Sequence, residues 1–115
     1  MKKAMCLSIL AILSFSSIAS ADPVGENFYT FKHIEGNNSH AHTILLRRNE
    51  VSQFVVRGEG NLDCFLYDQE FNLIDKDLNE TSQCDFQVSP KETSRFTIKV
   101  VNSGANSTSY ALRVF

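Results

Sequence analysis

The sequence predicts an all-β domain: eight short strands folded into two packed antiparallel sheets. Three observations lead there. From Phe28 to the C-terminus, apolar and polar residues alternate with a period of two, the repeat of a strand with one buried face. Clusters of Gly, Asn, Asp and Pro interrupt that alternation at short intervals, as turns between strands require. No apolar stripe of 3.6-residue period persists for three turns, so no amphipathic helix competes with the strands.

Taken in order, the first strand is Phe28 to Ile34, ended by Gly36-Asn37-Asn38. The second, His42 to Arg48, stops at Asn49-Glu50, and the third, Val51 to Arg57, stops at Gly58-Glu59-Gly60. Leu62 to Tyr67 and Phe71 to Ile74 are separated by the turn residues Asp68-Gln69-Glu70. A polar stretch, Asp75 to Ser82, leads to the sixth strand, Cys84 to Ser89, and Pro90-Lys91 follows it. Ser94 to Val101 and Ser109 to Phe115 complete the set, joined by the polar loop Asn102 to Thr108. Residues two apart on a strand face the same way. The inward sets are therefore Phe54 and Val56; Leu62, Cys64 and Leu66; Cys84, Phe86 and Val88; Phe96, Ile98 and Val100; and Tyr110, Leu112 and Val114.

The first 21 of the 115 residues read differently. Met1-Lys2-Lys3 is a short cationic start, Ala4 to Ile18 is mostly apolar, and Ala19-Ser20-Ala21 is the small-x-small pattern of a secretory signal, cut before Asp22. Its removal leaves 94 of 115 residues, one domain, with Asp22 to Asn27 as a lead-in. Without Lys2 and Lys3 the 11 basic residues fall to nine, against 13 acidic ones, a net charge of −4. Nucleic acid is excluded as a partner because it asks for a basic surface. No later stretch approaches the roughly 20 apolar residues of a spanning helix. Cleavage also removes Cys6, leaving Cys64 and Cys84 as a pair that an oxidising compartment would join. Both lie on inward sets, where the Cα atoms of two strands approach within disulfide range. A loop of about 20 residues closed in this way is worth about 3 kcal/mol in the chain-entropy model.

From Val55 to Asp68 the chain reads Val-Val-Arg-Gly-Glu-Gly-Asn-Leu-Asp-Cys-Phe-Leu-Tyr-Asp, and Phe71-Asn72-Leu73-Ile74 follows. This series resembles the bacterial pre-peptidase C-terminal domain, with its Gly-x-Gly turn, Asp-Leu-Asp-Leu-Tyr-Leu-Tyr-Asp-like strand and Gly-Asn-Leu-Val-like return. Asn61 stands in for the first Asp, Cys64 for a core Leu and Phe71 for the usual turn Gly. Pro90 to Val101 and Asn102-Ser103-Gly104 through Tyr110-Ala111-Leu112 resemble the family's last strands, and His42 to Val56 its opening pair. The resemblance spans about Ser39 to Phe115. It implies a jelly-roll-like antiparallel β-sandwich, a bacterial source and a non-catalytic appendage of secreted peptidases. Relatives in collagenases bind extracellular polymers and calcium. No peptidase accompanies the domain in this sequence, and no collagen-specific motif is present.

Four groups of residues are candidates for chemistry or binding. Asp63, Asp68, Asp75, Asp77 and Asp85 lie within 23 residues, and Asp75-x-Asp77-x-Asn79 starts like a calcium loop. The sixth and twelfth places of an EF-hand, however, hold Glu80 and Phe86 instead of Gly and Glu. The competing account is a solvated connection whose Asp and Asn residues form turns and keep edge strands from pairing. His40 and His42 flank Ala41, so a strand projects both imidazoles to one face about 7 Å apart. With His33 from a neighbouring strand they form a candidate zinc or copper trio. Otherwise His42 packs at the core edge, His40 caps the start of the strand and His33 lies on the surface. Phe65 and Tyr67 point opposite to Leu62, Cys64 and Leu66, and exposed aromatics on a sheet make a contact surface, unless Phe71 or the first strand covers them. The Asn-x-Ser/Thr sequons at Asn37, Asn79 and Asn106 read as turn residues in a bacterial chain.

No Gly-x-Ser-x-Gly elbow, His-Glu-x-x-His helix or phosphate-cradling glycine loop occurs. The expectation is a non-enzymatic secreted or periplasmic binding or accessory module, its partner an extracellular or envelope protein or polymer. Two further classes compete with it. One is an inhibitor of an envelope hydrolase such as a protease or lysozyme, acting through the Asn102 to Thr108 loop. The other is a periplasmic protein that binds calcium, zinc or copper.

Overall fold

The computed structural model describes residues 28–78 and 81–115. The signal-like segment, its cleavage site and the Asn79 and Glu80 positions lie outside those residues. Eight strands run through the described chain: β1 Phe28–Ile34, β2 Ser39–Leu46, β3 Ser52–Gly58, β4 Leu62–Tyr67, β5 Leu73–Asp77, β6 Gln83–Val88, β7 Ser94–Asn102 and β8 Thr108–Val114. They form two four-stranded sheets, β1-β8-β3-β6 and β2-β7-β4-β5, and every pairing is antiparallel. No described helix is long and apolar enough to cross a membrane.

Among the described residues, only β4 and β5 are joined as a hairpin within one sheet. All other connections carry the chain from one sheet to the other, so sequence neighbours face each other across the core instead of sharing a ladder. The two chain ends of the domain meet in this way: β1 pairs with β8 from Phe28↔Val114 to Ile34↔Thr108.

The alternation read from the sequence describes the core. Phe54, Val56, Leu62, Cys64, Leu66, Cys84, Phe86, Phe96, Ile98, Val100, Tyr110, Leu112 and Val114 are all buried, with Ile34, Ile44 and Leu46 from the first two strands. Val88 packs against this cluster from its margin. The disulfide joins Cys64 on β4 to Cys84 on β6, with Cα atoms 6.3 Å apart. It ties the edge strand β6 of one sheet to an inner strand of the other.

Two strands depart from the expectation. The second begins three residues earlier than His42, at Ser39, because Asn102 donates its backbone N–H to the Asn38 carbonyl and carries the ladder to Ser39↔Val101. It also ends earlier, where Asn49 takes a left-handed φ of 63° and Glu50 bonds back to the Arg47 carbonyl. The fifth strand is Leu73–Asp77 rather than Phe71 to Ile74. The Asp68 carboxylate explains this shift: it accepts the backbone N–H groups of Glu70 and Asn72 at 3.0 and 2.9 Å and the Asn72 side-chain amide at 3.2 Å. Those bonds keep Phe71 in the turn, at a φ of 64°. Asp75 and Asp77 then pair with Leu66 and Cys64, on an edge strand whose side chains reach water.

The loop joining β7 to β8 is pinned. The Asn102 side-chain amide donates to the carbonyls of Glu35 and Asn106, and its oxygen accepts the Gly104 N–H. Gly36 lies so close to the Ala105 carbonyl that a Cβ there would collide with backbone. This contact is why a residue without a side chain occupies the β1–β2 turn.

Candidate functional site

The lateral margin formed by β1 and β2 carries the most concentrated polar chemistry of the described residues. His40 and His42 are two apart on the edge strand β2 and project to its inward side, as the period-two rule requires. The hydroxyl of Tyr110, an inner residue of the opposite sheet, enters between them. His40 Nδ1 lies 3.1 Å from Tyr110 Oη, and His42 Nε2 lies 2.6 Å from it. With both imidazoles neutral, the hydroxyl donates to one ring nitrogen and accepts an N–H from the other. The rings stand 5.9 Å from the tyrosine ring between centroids, that of His42 edge-on.

Lys32 enters from β1, opposite Tyr110 in the β1–β8 register. Together with Ser39, His40, Ala41 and His42 it lines an open notch of about 450 Å³. The His42 pKa is lowered, first by burial, then by His40 and by the Lys32 ammonium. Burial pushes the Tyr110 phenol up to about 12.

His33 is not part of this group. It sits on the outer side of β1, where Nδ1 is 3.4 Å from Ser109 Oγ and Nε2 is 3.8 Å from a Glu35 carboxylate oxygen. The trio expected from the sequence is therefore divided between the two faces of a sheet. The parity of β1 decides this, because His33 alternates with Lys32 and Ile34, and Ile34 is wholly buried.

The five aspartates are dispersed as well. Asp68 organises the β4–β5 turn, and its carboxyl is held below the ordinary value chiefly by the Asn72 backbone N–H. Asp75 accepts the Lys76 backbone N–H at 2.8 Å, Asp85 accepts the Gln83 side-chain amide at 2.8 Å, and Asp77 faces the Asp85 N–H at 3.4 Å. Asp63 points away from the inward set of β4. Among the described residues, no three His, Cys, Asp or Glu side chains converge as a metal-holding group.

Phe65 and Tyr67 do lie on the outer face of their sheet, but both are only half-exposed. Phe65 sits between Lys76 and Lys99 in the register, and the Lys99 ammonium lies 5.9 Å from its ring centroid. Tyr67 pairs with Leu73 and Thr97.

Phe71, in the β4–β5 turn, is 71% exposed, and the other sheet exposes two aromatics on one strand. Tyr29 and Phe31 of β1 are 58% and 62% exposed. They stand beside Arg113 and Ala111 of β8, which stand in turn beside Val55 and Arg57 of β3. The Arg113 guanidinium lies over the Phe115 ring, 4.9 Å from its centroid. A shallow groove of about 410 Å³ crosses this face, lined by Val55, Arg57, Asp85, Arg113 and Phe115 among others. In Phe28-Tyr29-Thr30-Phe31, aromatics occur on both parities, so the sequence offered no outward face for this strand. The tertiary pairing with β8 was needed to set it.

No family model matches the sequence, and no curated protein matches it. Solved structures do. The pre-peptidase C-terminal domain of a collagenase from Bacillus anthracis superposes with a TM-score of 0.65 at 13% identity, over 82% of this chain and 93% of that one. A periplasmic inhibitor of g-type lysozyme from Aeromonas hydrophila superposes with a TM-score of 0.50 at 12% identity, over 85% of this chain and 91% of that one. At these identities the likeness speaks to architecture, and this chain has the fold of the pre-peptidase C-terminal domain.

Proposed function

We propose that this protein is an exported, non-catalytic binding module that engages a macromolecular partner through the outer face of the β1-β8-β3-β6 sheet. One observation carries the reading: Tyr29 and Phe31, more than half exposed, form a continuous surface with Arg57, Arg113 and Phe115. Aromatic and arginine side chains dominate the energetics of binding surfaces, because they bury large areas with few rotatable bonds and still offer polar contacts. A buried disulfide supports export, since such bonds persist in oxidising compartments. The partner class is a protein or polymer of the envelope or the exterior.

A hydrolase inhibitor is the specific form of this function favoured by the lysozyme inhibitor among the structural neighbours. The pinned β7–β8 loop supports it too, because a loop held by Asn102 loses little entropy on binding. The test is residual activity of g-type lysozyme, other lysozymes and secreted proteases mixed with the protein. Inhibition that Tyr29→Ser with Phe31→Ser abolishes would establish both the inhibitor and the face. Inhibition lost only on substituting Asn106 and Ser107 would assign the loop instead. No inhibition, together with undiminished binding of the double variant to envelope polymers, would overturn the proposal of this face.

A further inference from the structure

We propose that His40, His42 and Tyr110 form a binding site for a divalent copper or zinc ion at the β1–β2 margin of the sandwich. Two imidazole nitrogens already flank one phenolic oxygen there: His40 Nδ1 and His42 Nε2 lie 3.1 and 2.6 Å from the Tyr110 oxygen. Metal–nitrogen and metal–oxygen bonds of about 2.0–2.1 Å place the ligands of a tetrahedral ion about 3.3 Å from one another. The His40 separation of 3.1 Å is thus close to that spacing, and the His42 separation of 2.6 Å is about 0.7 Å short of it. Entry of the ion requires the Tyr110 oxygen to draw back from both imidazole nitrogens, furthest from that of His42. Two of the donors are fixed by β2 and the third by β8, in the other sheet, so a bound ion would bridge the sheets at the side opposite the disulfide.

The donor set is chemically suited to the ion. Imidazole nitrogen is a ligand for zinc and copper alike. A phenol becomes a strong ligand once it loses its proton, and because burial pushes the Tyr110 phenol up to about 12 the ion itself must displace that proton. On binding, the two hydrogen bonds around Tyr110 Oη are replaced by coordination, and the hydroxyl proton leaves to solvent. No electron is transferred and no other reactant is consumed. A fourth position opens toward the notch lined by Lys32, Ser39 and Ala41, where water or a partner's side chain can complete the coordination.

The sequence suggested a different grouping, with His33 as the third ligand. The fold puts His33 on the outer face and supplies Tyr110 in its place, which gives the proposal a built-in control. The exported protein, purified with its disulfide intact and stripped with EDTA, is titrated with copper chloride or zinc chloride alone. The expected results are one ion per chain and a raised melting temperature. The copper form should show electron paramagnetic resonance couplings to two imidazole nitrogens and a visible phenolate-to-copper charge-transfer band. His42→Asn and His40→Asn should each weaken binding by about tenfold or more. Tyr110→Phe should remove the band while keeping the nitrogen couplings, and His33→Asn should change nothing.

The spectra of the unsubstituted protein decide the matter even if a variant folds poorly. Absence of the two nitrogen couplings and of the phenolate band would overturn the site. So would binding that His33→Asn weakens as much as His42→Asn does. A site that takes copper with these spectra and leaves zinc unbound would support the site and identify its ion.

Discussion

The Tyr110 hydroxyl lies 2.6 Å from Nε2 of His42, across the gap between the two sheets and 68 positions away in sequence. This bond mirrors the disulfide. Cys64–Cys84 ties an edge strand of one sheet to an inner strand of the other along one side. The His42–Tyr110–His40 group does the same along the other side with polar contacts.

Replacing Tyr110 with Phe keeps the ring in the core but leaves two imidazole nitrogens without their partner. Stability should fall by about 1–3 kcal/mol, the cost of unsatisfied polar groups at a partly buried site. Urea unfolding should show a lower midpoint at an unchanged slope, because the surface exposed on unfolding is the same. A midpoint equal to that of the parent would mean that water replaces the hydroxyl without loss.

The disulfide closes a 20-residue separation within a small core. Changing both Cys64 and Cys84 to Ala should lower stability by about 3 kcal/mol, mainly by freeing the unfolded chain. For a domain of this size that is a large share of the total. Guanidinium unfolding of oxidised protein and double variant compares the two directly. A difference under about 1 kcal/mol would show that the unfolded chain is already compact in this region.

Phe71 holds a left-handed backbone, φ 64°, and its side chain is 71% exposed. A non-glycine residue there costs roughly 1–2 kcal/mol, while Gly adopts the conformation freely. Phe71→Gly should therefore raise stability by about 1 kcal/mol despite the added freedom of the unfolded chain, read as a higher melting temperature. A fall would show that the exposed ring makes a contact worth more than the backbone strain.

The Asp68 carboxyl is held low by the N–H groups it accepts, the Asn72 backbone first. A depressed folded-state pKa means that the folded protein binds this proton less readily than the unfolded chain does. The resulting stabilisation is complete above the unfolded carboxylate value near 3.9 and is lost as pH falls through the lower folded value. Asp68→Asn should make stability fall less steeply on acidification below about pH 4. Parallel pH curves for the two proteins would show that the turn does not depend on the charge.

The sequence by itself determined the β class, the inward sets of five strands and the cysteine pair. Each of these follows from local rules: period-two alternation, turn residues, and the pairing of two inward-facing cysteines. It placed Phe71 as a stand-in for a turn glycine, and the backbone there is left-handed. The β5 boundary was less legible, because one carboxylate, Asp68, organises the turn through five residues of chain. What only the tertiary structure decided are the relations between strands far apart in sequence. Alternation states that His40 and His42 share a face, but it does not reveal that Tyr110 arrives from the other sheet, or that His33 points away. Nor does it tell which of two aromatic parities on β1 meets solvent. The physical reason is the topology: nearly every connection changes sheets, so each strand's partners lie far along the chain, and a one-residue choice of register turns a whole face inward or outward.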